Sequence, residues 1–207
     1  MEFEFSGRRI KLSKELSDLD VFVMDLVKII NEAKIKYTVI SGYLAILFGR
    51  PRITEDVDIF IEDIDYSRFK AFFDALVDSN YEFINSSSPE DLYRNYLKES
   101  LGIRVAKKGT VFPNMEIKVA KTKLDMESME NPIIVELNGK EIVTSCLELQ
   151  VAFKLYLGTR KDIEDARFLF KLFEDKLNSA EIEKYAAELG CQRKLKFLGD
   201  KYGKRGI

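Results

Sequence analysis

Asp56 and Asp58 open a short apolar run, Asp56-Val-Asp-Ile-Phe-Ile61, that reads as a strand. Alternation along a strand puts Val57, Ile59 and Ile61 on one face and Asp56, Asp58 and Phe60 on the other. Acids two apart on one face have Cα atoms roughly 6–7 Å apart. Their side chains can converge on one cation, or on two ions about 3.5–4 Å apart. Uncompensated, two such carboxylates repel and the pKa of one rises. A hard divalent cation with oxygen ligands relieves this, and magnesium is the natural guest, with manganese able to replace it. The competing description is a surface strand with solvated acids. Asp is disfavoured in strands, which makes that description harder to sustain between Val and Ile. An EF-hand is excluded, since the segment lacks the turn glycine and is too apolar.

Composition narrows the chemistry further. The 207 residues contain no histidine. That excludes a Ser-His-Asp triad, a Cys-His nucleophile and His-ligated zinc. General bases must come from Asp, Glu, Lys or Tyr. Cys146 and Cys191 lack CxxC spacing and read as small buried apolar residues of a reducing cytoplasm. The 33 basic residues stand against 35 acidic ones, so charge as a whole does not mark a nucleic-acid binder. No run approaches the ~20 apolar residues of a membrane helix. Met1 to Lys11 mixes charge and aromatics and does not read as a secretory leader.

The acids need elements to position them. Glu2 to Leu12 alternates as a strand or hairpin. Ser13 or Ser17 caps a helix carrying Leu19, Phe22, Val23, Leu26, Ile29 and Ile30 at helical spacing. Tyr37 to Ser41 is a short strand, Gly42 breaks it, and Tyr43 to Phe48 is a short helix stopped by Gly49. Backbone N–H groups at such a strand-to-helix turn favour a phosphate. Gly42 permits close approach and Ser41 adds a hydroxyl. A phosphate cradle thus precedes the acid pair. Asp65 caps a helix from Tyr66 to about Ser79, and a second helix runs from Glu90 to about Lys98. Ile103–Ala106, Val111–Ala120, Ile133–Leu137 and Glu141–Val143 read as strands, with an Asn138-Gly139 hairpin turn between the last two. From Ser145 onward only helices are expected: Ser145–Tyr156, Asp162–Leu177 and Ser179 to about Leu189. The fold class is α+β: a mixed sheet flanked by helices (residues 1–144), followed by a C-terminal helical subdomain (145–207).

Ser41-Gly42, the gap from Tyr43 to Glu55, and Asp56-x-Asp58 together resemble the signature of the nucleotidyltransferase superfamily related to DNA polymerase β. The approach Gly49-Arg-Pro-Arg52-Ile-Thr54 is similar to the G-x-x-R-x-T-x-D-x-D form of minimal bacterial and archaeal members, including AbiEii-type toxins. The family pair is usually Gly-Gly or Gly-Ser; here it is Ser-Gly. The resemblance implies a third carboxylate on a later strand, and Glu116, between Met115 and Ile117, is the match. The usual residue there is Asp. Lys118 shares its face, so a structural Glu–Lys pair is the alternative, and Asp125 is another candidate acid.

Leu147 to Asp165 resembles the C-terminal helices of the same group, where a K-L helix is followed by R-x-K-D-x-x-D. The resemblance points Lys154 at a triphosphate; a lysine snorkelling from an apolar helix is the alternative. Asp162 and Asp165 share a helix face, with Asp162 explained by capping and Asp165 able to orient a basic residue or the acceptor. Arg193, Lys194, Lys196, Lys201, Lys204 and Arg205, interleaved with Phe197 and Tyr202, form a basic tail that RNA would suit.

The resemblance implies a magnesium-dependent enzyme that moves an NMP from an NTP to a hydroxyl of tRNA, other RNA, protein or a small molecule. Asp56, Asp58 and Glu116 would hold metal, with Glu116 also the nearest base. Ser41, Gly42, Arg52, Thr54, Lys154 and Asp165 would form the nucleotide side. An antitoxin partner follows if the chain is a toxin. A degenerate nucleotide- or RNA-binding protein acting through a partner is the other reading.

Overall fold

β4 (Asp56–Ile61) sits in the interior of a nine-stranded mixed sheet, seen in a computed structural model that describes residues 3–202, with side chains described through 198. The sheet runs β1 (Phe3–Ser6), β2 (Arg9–Leu12), β8 (Ile133–Leu137), β9 (Lys140–Thr144), β3 (Tyr37–Ile40), β4, β7 (Asn114–Val119), β6 (Ile103–Lys107), β5 (Tyr81–Phe83). β4 pairs antiparallel with β3 and parallel with β7. Parallel neighbours need a long crossover, and α3 (Tyr66–Asp78), β5, α4 (Pro89–Asp91) and β6 fill it.

Val57, Ile59 and Ile61 are fully buried while Asp56, Asp58 and Phe60 are half-buried, as strand alternation requires. The same core takes Phe22, Leu26 and Ile30 from α1 (Asp18–Glu32), Phe69, Phe72 and Leu76 from α3, and Val151, Leu155, Ala166 and Leu169 from α6 (Leu147–Leu157) and α7 (Arg160–Leu172). Ser17 caps α1 with a capping box completed by Asp20, and Asp65 caps α3. After Thr144 the remaining described elements are helices, closing with α8 (Ser179–Glu188) and α9 (Gln192–Tyr202).

Several local expectations change. The helix expected over Glu90–Lys98 is the single turn α4 running into a π-helical segment, Leu92–Leu97. The strand expected from Val111 starts at Asn114; Phe112 and Pro113 join through a cis peptide bond and stay in the loop. Asp125 is no loop residue. It is the third residue of α5 (Lys123–Glu130), where its carboxylate accepts from the Thr122 N–H at 2.9 Å and the Lys121 N–H at 3.2 Å. That capping box occupies the Asp125 carboxylate, while Glu116 lies on β7 opposite Asp58. The basic segment from Gln192 is helical, and Lys194 Nζ donates to the Leu155 carbonyl at 2.8 Å. The side chains of Lys201 and Tyr202, and Lys204 and Arg205 entirely, lie outside the described residues.

One aromatic cluster packs the end of α7 against the end of α2 (Gly42–Leu47). α2 ends at Phe48, whose ring meets that of Phe173, the residue that closes α7, edge-on at 4.8 Å. Phe3 and Phe5 of the first hairpin join the cluster. Edge-to-face aromatic pairs add about 0.5–1.5 kcal/mol beyond burial. The cluster fixes α7 beside the loop that carries Arg50 and Arg52.

Candidate active site

Register decides which side chains meet. Asp58 stands opposite Glu116 on β7 and Ile40 on β3, and Arg104 of β6 stands opposite Glu116. One row across four strands therefore reads Ile40, Asp58, Glu116, Arg104. Asp56 lies one pleat away, opposite Asn114. Ser41 and Gly42 follow Ile40 directly, so the strand-to-helix turn borders the acids.

Glu116 is tied to cations. Lys118 Nζ donates to Glu116 Oε2 at 2.7 Å and lies 3.5 Å from Asp58 Oδ1; Arg104 Nη2 is 3.8 Å from Glu116 Oε1. Burial by itself would raise the Glu116 carboxyl, but the Lys118 hydrogen bond and charge prevail and hold it below the ordinary value. Burial raises the Asp58 carboxyl; Lys118 opposes this, and the charges of Asp56 and Glu116 add to it. Lys118 is raised, because its two acidic partners outweigh its burial. Gly102 completes the corner. A β-carbon there would lie 2.6 Å from Glu116 Oε1, so only glycine lets the carboxylate rest at this depth.

The other half of the region is assembled by α6, α7 and the loop after α2. Ser41 has φ 65° and ψ −135°, a conformation that costs a non-glycine residue about 1–3 kcal/mol. Its N–H donates to Gln150 Oε1 at 2.9 Å, and Lys154 Nζ reaches its Oγ at 3.4 Å. The close approach at Gly42 is made by Arg52: a β-carbon on Gly42 would sit 2.8 Å from Arg52 Nη2. Arg52 is 91% enclosed by its surroundings (9% exposed), and its Nε is buried without a hydrogen-bond partner. Burial and the neighbouring Arg50 lower the Arg52 pKa, and Asp162, Asp56 and Asp58 act in the opposite sense, which joins this cluster electrostatically to the paired acids. Thr54 Oγ1 lies 3.2 Å from Asp56 Oδ1.

Asp165 organises the cations. Its side chain is fully buried and accepts from Arg50 and from Arg52, with Lys154 Nζ at 3.3 Å. Lys154 also donates to Asp162 at 2.8 Å, and Thr159 caps α7 through Asp162. Burial raises the Asp162 carboxyl, but the bonds from Lys154 and Thr159 overcome it and lower the pKa. Lys154 therefore does not snorkel: it is buried among polar partners at the Ser41 turn. All nine residues singled out from the sequence fall into this one region. Four more belong to it: Arg50, Gln150, Arg104 and Gly102. The Arg50-Pro51-Arg52 doublet was a visible signal for the first; nothing local marks the others.

The donor set suits a hard divalent ion in part. Asp56 and Asp58 supply carboxylate oxygens with excess negative charge. Glu116 faces Lys118 instead, and among the described residues no group of three carboxylate, cysteine or histidine side chains converges as a metal site.

No family model and no curated protein matches the chain. Solved structures do. An antigenic nucleotidyltransferase-like protein from Paracoccidioides brasiliensis aligns with a TM-score of 0.55 at 20% identity, covering 89% of this chain and 93% of the other. ANT(2")-Ia in complex with adenylyl-2"-tobramycin gives 0.53 at 12% identity, covering 86% and 99%. The lincosamide antibiotic adenylyltransferase LnuA, lincomycin-bound, gives 0.50 at 13% identity, covering 75% and 98%. At these identities the likeness is one of fold: the chain has a nucleotidyltransferase-like fold, with the mixed sheet and C-terminal helices expected from its sequence. Among the described residues no helix is long and apolar enough to cross a membrane.

Proposed function

We propose that this chain is a magnesium- or manganese-dependent nucleotidyltransferase that moves an NMP from an NTP to an acceptor hydroxyl. The observation that carries the proposal is the register of Asp58 against Glu116 beside the Ser41-Gly42 turn, with Asp56 one pleat away. Asp56 and Asp58 would hold the metal, with Glu116 as a third ligand were Lys118 displaced from it. A bound divalent ion supplies charge neutralisation at the triphosphate and acidifies the acceptor hydroxyl.

The chain's own groups do the rest. Arg52, with its spare buried Nε–H, and Lys154 bind phosphate oxygens over Ser41 and Gly42. Asp165 aims both cations, and Thr54 steadies Asp56. The acceptor oxygen attacks the α-phosphorus, the bond to pyrophosphate breaks, and Glu116 takes the hydroxyl proton. Two of the similar structures hold adenylyl-2"-tobramycin and lincomycin, the second in a lincosamide antibiotic adenylyltransferase. For this chain the acceptor classes are RNA, including tRNA, protein and small hydroxylated molecules.

The test incubates pure protein with Mg2+ and each α-labelled NTP in turn, against total RNA, total cell protein, tobramycin and lincomycin. An Asp56→Asn control runs beside it. Label in one acceptor class, lost in the control, establishes transfer. Growth arrest on expression that Asp56→Asn abolishes would place the chain among toxins with a neutralising partner. One observation favours a second reading, a nucleotide-binding protein without turnover: the Lys118 ammonium already neutralises Glu116. Nucleotide binding by calorimetry with no label transferred to any acceptor selects it.

A further inference from the structure

We propose that Lys118 is a built-in counter-cation that competes with divalent metal for Glu116 and Asp58, so that the metal-free site is pre-neutralised and loads weakly until the ammonium is displaced. The inference rests on the metal-site reading of Asp56, Asp58 and Glu116 given above. Lys118 lies two residues after Glu116 on the same face of β7, opposite Phe60, two residues after Asp58 on β4. Its Nζ is 2.7 Å from Glu116 Oε2 and 3.5 Å from Asp58 Oδ1, so one ammonium spans two of the three acids. The other Glu116 oxygen is held between Arg104 and the bare Cα of Gly102. With one oxygen confined there, the oxygen open to a new ligand is the one that Lys118 holds.

An ammonium and a divalent ion compete for that oxygen, because two cations brought to one carboxylate oxygen repel each other. Mg2+ sits at 2.0–2.1 Å from its ligands and needs near-octahedral access, while the ammonium demands its own hydrogen-bond distance and repels the ion. Lys118 is able to leave, because its side chain is 35% exposed on a flexible stem whereas Asp58 and Glu116 are more enclosed. The arrangement spares the metal-free protein three crowded, unpaired carboxylates. It also makes metal occupancy depend on an added attraction for the ammonium, which an incoming polyanion supplies.

The experiment titrates Mn2+ alone into the 207-residue chain, following free Mn2+ by electron paramagnetic resonance. Lys118→Gln keeps a hydrogen-bonding stem without the charge; Lys118→Met is the second variant should the first fold poorly. Each is expected to bind Mn2+ at least fivefold more tightly than the wild type, and Mg2+ should raise its melting temperature more than it raises that of the wild type. Adding Glu116→Gln to Lys118→Gln should remove the gain. Equal or weaker binding in both Lys118 variants, with the wild type still binding Mn2+, overturns the inference and leaves the metal-site reading standing. A gain that survives the added Glu116→Gln also overturns it, since general charge would then explain the effect. Absence of Mn2+ binding at millimolar concentration in every form overturns the metal-site reading itself.

Discussion

Asp165 of α7 accepts a hydrogen bond from Arg52, 113 positions earlier in the chain, and its side chain is wholly enclosed as it does so. Arg50 and Lys154 share the same carboxylate. One buried acid thus fixes the loop that leads into Asp56 and the lysine that reaches Ser41. Replacing it by Asn leaves three cations crowded without their common partner. Breaking a buried pair typically costs about 3–5 kcal/mol, so Asp165→Asn should lower stability by about that amount in urea unfolding. A loss under about 1 kcal/mol would show that Asp162 and Glu164 absorb the cations.

Gly42 carries a separate prediction. A β-carbon there intrudes on the Arg52 guanidinium at 2.8 Å. The obstacle is the end of a flexible side chain, so Gly42→Ala should cost only about 1 kcal/mol of stability, at the low end for overpacking. Nucleotide affinity, measured by calorimetry, should fall at least tenfold because Arg52 is pushed off the turn. Unchanged affinity would remove Arg52 from the phosphate site.

Asp58 separates catalysis from stability. Its carboxyl is buried between Asp56 and Glu116, with Lys118 the compensating charge. Asp58→Asn should abolish label transfer while the melting temperature in metal-free buffer stays level or rises. A large drop in melting temperature would mean that Asp58 serves the fold through Lys118.

Acid stability should depend on Asp20 of α1. Burial opposes ionisation of its fully enclosed carboxyl. Hydrogen bonds from Ser17 and Lys14, with the Tyr43 hydroxyl at 2.9 Å, prevail and lower its pKa below the ordinary 3.8. A carboxyl depressed by folding contributes stability that is complete above its unfolded pKa and is lost as pH falls through its folded value. Stability should therefore decline below about pH 4, and Asp20→Asn should flatten that decline in urea midpoints taken between pH 2 and 6. An unaltered acid limb would assign it to other carboxylates.

The sequence by itself determined the elements whose signals are local. Alternation in Asp56–Ile61 set both acids on one face of β4, Asp65 began α3 where it was expected, and of the two serines expected to cap α1 it is Ser17 that does so. Asn138-Gly139 turned β8 into β9. The Ser41-Gly42 break was legible in the same way, whereas Glu116 was singled out only because the resemblance implies a third carboxylate on a later strand. Other features had no such signal. The π-helical Leu92–Leu97 is one, since periodicity does not report it; the capping role of Asp125 did have a local signal, Thr122-x-x-Asp125, that a reading for periodicity passes over.

Only the tertiary structure decided which charges meet. The placement of β7 beside β4, parallel and in the register that sets Glu116 against Asp58, required the whole crossover to form. The packing of Phe48 on Phe173 brought α7 to the Arg50–Arg52 loop and closed Asp165 on three cations. Faces and caps follow from a few adjacent residues, whereas ion pairs across more than a hundred positions depend on how sheets and helices stack. That is why the acids, and Lys118 beside Glu116, could be read from the chain, while Arg104 against Glu116 and Arg50 and Arg52 against Asp165 took their assignments from the fold.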